Sequence, residues 1–162
     1  VYMDKILNRN PQAWRYVDLH DRAIEIDDVT FEFFVKSLCK THIRNADIHW
    51  MPQVNFLVYE QYDDYFAFED IPGLVDTLKA KIGFDVVDAR PLTKHGMAGY
   101  RKVSRKEPFR LAPFELLALK KRGSAPSIGA MFSDELVDCV KRAYKKDIAV
   151  YKRHIGPEHL LY

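Results

Sequence analysis

Apolar residues recur at helical spacing along three stretches of this chain. Phe31, Phe34, Val35 and Leu38 fall on one face, and Asp27, Asp28 and Thr30 just before them are side chains that cap a helix amino terminus. Leu74, Val75, Leu78 and Ile82 follow Pro72, whose missing amide is no loss in a first helical turn, and Gly83 suits the left-handed residue that ends a helix. Leu136, Val140, Tyr144, Ile148 and Tyr151 make a third stripe. It predicts one buried helix running from a Ser133 cap, with Asp134 and Glu135 in the first turn where they suit the dipole. Two shorter helices are expected over residues 2–8, stopped by Asn10-Pro11, and over residues 114–121.

Other stretches read differently. Tyr65-Phe66-Ala67-Phe68 is an aromatic run of the kind that prefers a buried strand, and Glu69-Asp70 follows where that strand would end. Strand, acidic turn and helix in succession place Phe68, Glu69 and Asp70 at the carboxyl end of a strand, where ligands collect in open α/β sheets. Residues 84–89 read as a second short strand, residues 41–47 as a polar link, and residues 14–26 as loop or short helix. Residues 90–131 hold four of the seven glycines and two basic clusters, at 101–106 and 120–122, and read as loops around one helix. The fold class expected is α/β, helix-rich with few strands.

Composition narrows the function classes. At 162 residues, 48% hydrophobic and 30% charged, the chain fits one domain able to bury a core. No apolar run approaches the roughly 20 residues that span a bilayer, so no membrane segment is expected in it. The net charge of +2 is too small to imply a nucleic-acid partner. The six histidines are scattered without ligand spacing, so no metal site is expected. The two cysteines, Cys39 and Cys139, read as buried thiols in helices.

Residues 49–83 also carry a family resemblance. His49-Trp50, Tyr62-Asp63 and Phe68-Glu69 followed by a helix resemble the carbohydrate sulfotransferases, of the Golgi chondroitin and dermatan type and their bacterial relatives. Residues 1–5 (VYMDK) resemble the helix start that follows the 3′-phosphate-binding Arg and Ser of that family. Residues 31–38 resemble its F-x-x-F-V helix, and Tyr144 with Asp147 its closing Y-x-x-D helix. The resemblance covers most of the chain, with residues 90–131 aligning poorly.

It implies the carboxyl-terminal portion of a P-loop-like sulfotransferase fold, residues 1–162 being a single partial domain whose donor-binding part precedes Val1. The implied activity is transfer of the sulfuryl group of 3′-phosphoadenosine 5′-phosphosulfate (PAPS) to a hydroxyl of a carbohydrate acceptor, neutral or anionic. The implied location is the cytoplasm in a bacterium, or the Golgi lumen for an anchored eukaryotic enzyme.

Such chemistry needs a phosphate cradle, cations, an adenine surface and a base. A histidine changes charge near neutral pH, so His49 is the candidate base; the other reading is a hydrogen-bonded histidine that orders the turn at Trp50 and Pro52. Phe68 matches the position whose ring lies beside adenine, although Tyr is common there. Lys5, Arg101, Lys102 and Arg105 are candidates for the donor's phosphates. Trp50, Glu69 and Lys106 are candidates for the acceptor, and Asp70 for a helix cap. No G-x-x-x-x-G-K-[ST] loop is present, and residues 123–129 (GSAPSIG) read as a plain loop, so the chain alone is expected to be inactive. The alternative is a non-catalytic helical module that binds an anionic polymer through residues 101–122.

Overall fold

The computed structural model describes residues 1–20, 24–89, 92, 99–158 and 160, so parts of the expected loops at 14–26 and 90–131 lie outside the described residues. Helices dominate: α1 (Pro11–Asp18), α2 (Phe31–Ser37), α3 (Thr41–Arg44), α4 (Ile71–Ile82), α5 (Pro113–Lys121), α6 (Asp134–Ala143) and α7 (Lys145–His154). Tyr2–Ile6 forms a wide π-type turn. Two strands of two residues, β1 (Arg101–Lys102) and β2 (Ser124–Ala125), pair in parallel. The protein is therefore helix-rich α/β with a minimal sheet.

The chain divides into two compact units. The first comprises residues 1–52 and 96–145, the second residues 53–95 and 146–162.

The first unit is organised around Phe34. Its ring meets Tyr2 at 5.7 Å, Tyr16 at 5.2 Å and Trp50 at 5.9 Å between centroids. Offset and edge-on aromatic pairs add attraction beyond the area they bury. Ile6, Val29, Ile43, Leu116 and Leu136 are fully buried around this cluster. The caps follow the local signals: Thr30 Oγ1 accepts from Phe33 N and Ser133 Oγ from Leu136 N. Two buried phenols are each satisfied, Tyr2 donating to the Val29 carbonyl at 2.7 Å and Tyr16 sharing a hydrogen bond with Ser37 at 2.6 Å. Burial raises both phenols above the ordinary tyrosine value, since it disfavours the phenolate.

The second unit buries little. Ala67 is its one buried hydrophobic residue among those described. Helix α4 starts as expected, Asp70 Oδ1 accepting from Gly73 N at 3.0 Å, and ends at Gly83 with φ +67°. Leu74, Val75 and Leu78 are only half-buried, and Ile82 is 70% exposed.

Several expectations need correction. The run 65–68 is not a strand: residues 65–67 are irregular, and Phe68 opens a 3-10 turn, Phe68–Asp70. No strand among the described residues lies beside it, and an aromatic run without a ladder partner packs as it can. Residues 84–89 are likewise irregular. The expected single carboxyl-terminal helix is two, broken at Tyr144, where ψ is +27°. The polar link contains a helix, α3. Cys139 is buried, but Cys39 lies past the end of α2 and is exposed.

Candidate functional site

His49 sits in a turn that the core of the first unit holds from several sides. The Asp47 carbonyl accepts from Trp50 N at 3.2 Å and Met51 N at 2.9 Å, closing the turn. The Asp47 carboxylate accepts from His49 N at 3.0 Å and lies 2.6 Å from His49 Nδ1, while Arg15 Nη1 is 3.5 Å from its other oxygen. Asp47 is 5% exposed, whereas the His49 side chain keeps 28% of its surface open. Burial acts to raise the Asp47 carboxyl, yet the two hydrogen bonds from His49, with the charges of His49 and Arg15, outweigh it and hold the carboxyl below its ordinary value. A buried carboxylate on Nδ1 fixes the ring and favours the Nδ1–H tautomer. That arrangement makes the opposite nitrogen the proton acceptor.

Trp50 serves this turn. It is 4% exposed, its Nε1 donates to the Ile43 carbonyl at 2.8 Å, and its ring meets Tyr16 and Phe34 edge-on. The structure thus faces Trp50 into the core, and gives an acceptor no open ring there. Asp47 and Arg15 were not singled out from the sequence. The Asp-x-His spacing was the available signal, since an Asp carboxylate readily accepts from the amide two residues on.

The basic residues come together through the small sheet. Arg101 N donates to the Gly123 carbonyl at 2.9 Å and Val103 N to the Ala125 carbonyl at 3.0 Å. This pairing sets Arg101 and Lys102 alongside the segment that leaves α5 through Lys121 and Arg122. All four side chains are exposed, as are Arg105 and Lys106. The register brings Arg101 and Lys102 close in the fold to Arg122, far away in sequence, an approach that only the strand pairing reveals. Lys120 is committed elsewhere, because its ammonium donates to the Met3 carbonyl at 2.6 Å and to Asn8 Oδ1 at 3.0 Å. Arg110 is also committed, to Glu32 and Glu107. Lys5 lies on the Tyr2–Ile6 turn, with its Nζ 3.6 Å from Asp4. Residues 123–129 follow a helix and open with β2, where Ser124, Ala125 and Pro126 are buried, so they do not form the strand-to-helix turn of a phosphate cradle.

In the second unit Phe68 is 70% exposed on the turn before α4. Glu69 beside it accepts from the Tyr151 hydroxyl at 3.3 Å. Nearby, Asp147 accepts from Gln53 N at 2.8 Å and Val54 N at 3.0 Å, and the Tyr65 ring stacks on His154 at 3.8 Å. Tyr65, Asp147 and Tyr151 border an apolar cavity of about 260 Å³, walled chiefly by Val54, Leu57, Phe66, Val150 and Ile155.

Among the described residues no cluster of three His, Cys, Asp or Glu side chains is placed to hold a metal, and no helix is long and apolar enough to cross a membrane. No family model, curated protein or solved structure matches the chain, so its chemistry rests on these residues themselves.

Proposed function

We propose that this chain takes part in sulfuryl transfer from PAPS to a carbohydrate hydroxyl, within a P-loop-like sulfotransferase fold. The supporting observation is the buried Asp47 carboxylate on His49 Nδ1. In this reading His49 takes the proton of the acceptor hydroxyl as it attacks sulfur, and Asp47 stabilises the imidazolium that forms. Arg101, Lys102 and Arg105, with Lys5, meet the donor's phosphates, and Lys106 meets an anionic acceptor.

The experiment pairs two measurements on the full-length protein. Calorimetric titration with 3′-phosphoadenosine 5′-phosphate should show binding. His49→Ala should then lower kcat at least 100-fold while leaving that binding within about twofold, since general base catalysis contributes about 10² to 10⁴. No nucleotide binding, or full turnover by the variant, ends the reading.

A second reading rests on the register of β1 with β2, which brings Arg101 and Lys102 near Arg122. The chain would then be a non-catalytic module for an anionic polymer. A protein that ignores the nucleotide yet binds a polysulfated glycan with steep salt dependence would support it.

A further inference from the structure

The two cysteines lie 100 residues apart in sequence and face each other across the end of α2 and the middle of α6. The Cys39 thiol donates to the Cys139 carbonyl at 3.6 Å and also interacts with the Cys139 thiol. Arg142 Nη2 donates to Cys139 Sγ at 3.3 Å. Cys39 is exposed and Cys139 buried, and both are free thiols. An exposed first thiol beside a buried second one with a guanidinium against it is the layout of an attacking and a resolving pair, since the attacker must be reached and the resolver must only reach its neighbour.

We propose that Cys39 and Cys139 form a dithiol site that low-molecular-weight disulfides oxidise to an intramolecular disulfide. The deprotonated Cys39 sulfur attacks one sulfur of a disulfide such as oxidised glutathione, forming a mixed disulfide and releasing one glutathione thiolate. Cys139 then gives its proton to solvent. Its thiolate, steadied by Arg142, attacks the Cys39 sulfur and expels the second glutathione thiolate. Two protein thiols have lost two electrons, and one oxidised glutathione has become two reduced ones. Burial holds the Cys139 thiol above its ordinary value, with Cys39 adding to this and Arg142 opposing, so resolution accelerates with rising pH. The product ties the end of α2 to α6 and encloses residues 39–139 in one covalent loop.

The test treats full-length protein with oxidised glutathione and maps its peptides without reduction. A Cys39–Cys139 cross-linked peptide should appear, the two free thiols should vanish, and Tm should rise by about 5 °C, reversed by dithiothreitol. Cys139→Ser should stop at a single glutathione adduct on Cys39, and Cys39→Ser should leave Cys139 unmodified. A wild-type protein that retains both thiols, halts at the Cys39 adduct, or cross-links only between molecules overturns the proposal. Near-identical circular dichroism of both serine variants and the reduced wild type shows that the pattern reports chemistry rather than misfolding.

Discussion

The Tyr144 hydroxyl donates to the Trp50 carbonyl at 2.6 Å, tying the break between α6 and α7 to the turn that carries His49. Tyr144→Phe removes this bond while keeping the ring and should cost about 1 to 2 kcal/mol. Tyr144→Ala also removes the ring and should cost about 3 kcal/mol or more, whereas the exposed Lys141→Ala should cost almost nothing. Urea unfolding of the three variants checks the order. Equal, small losses would mean that the α6 end is not packed on the core.

Acid stability should report Asp47. Its carboxyl lies below the ordinary value in the folded protein, so it binds fewer protons folded than unfolded around that value. The stability it contributes is present above the unfolded value near 3.8 and is lost as pH falls through the lower folded value. Asp47→Asn should be less stable than wild type at neutral pH, and the gap should close on acidification. A gap that stays constant between neutral and strongly acid pH would count against this account.

At the alkaline end the buried phenols of Tyr2 and Tyr16 work in the opposite sense. Both are raised by burial, so their contribution is complete below the unfolded tyrosine value near 10 and is lost as pH rises through the folded values. Stability should decline above about pH 10, and phenolate absorbance for these two should appear only with unfolding. Tyr16→Phe should flatten that decline, and an unaltered alkaline limb would disprove the assignment.

Charge reversal separates the roles within the basic surface. Arg101→Glu with Arg105→Glu should weaken nucleotide binding by ~1.5 to 3 kcal/mol for each charge-assisted hydrogen bond removed. Lys106→Glu should instead raise the acceptor KM and leave the nucleotide alone. If neither parameter moves, the cluster is a solvated loop. Backbone pairing of β1 with β2 is unaffected by these side chains, so strand integrity is a built-in control.

In the second unit, Asp147→Ala strips the acceptor from the amides of Gln53 and Val54. The local cost should be about 1 to 2 kcal/mol, read as faster hydrogen exchange at those two amides with α5 and α6 unchanged.

What could be read in advance was local. Thr30, Asp70 and Ser133 cap helices because a short polar side chain reaches an amide three residues on, and Gly83 ends α4 because it tolerates φ +67°. What could not be read depends on partners distant in sequence. The aromatic run 65–68 has strand composition, but composition does not provide a neighbouring strand. Arg101-Lys102 and Ser124-Ala125 have no strand signature, yet they pair because α5 returns the chain alongside. The stripe from Leu136 to Tyr151 is continuous at helical spacing, and nothing in its pattern marks the break at Tyr144, whose hydroxyl bonds the distant Trp50 carbonyl. His49 was visible as a residue type, while its carboxylate partner shows only once the turn is closed.

The first unit is assembled from two separate lengths of chain, with residues 53–95 lying between them. Its closing contacts span 94 and 100 residues, so the ribosome has released the whole intervening stretch before they can form. Until then the faces of Phe34, Val35 and Leu38 that α6 covers remain open to water and to other chains. Nucleation must also bear the entropy of a long loop closure, which rises only slowly with length but slows the search. For a protein this rich in helix, refolding should therefore be slow, and association during synthesis is the hazard against which the cell must guard it.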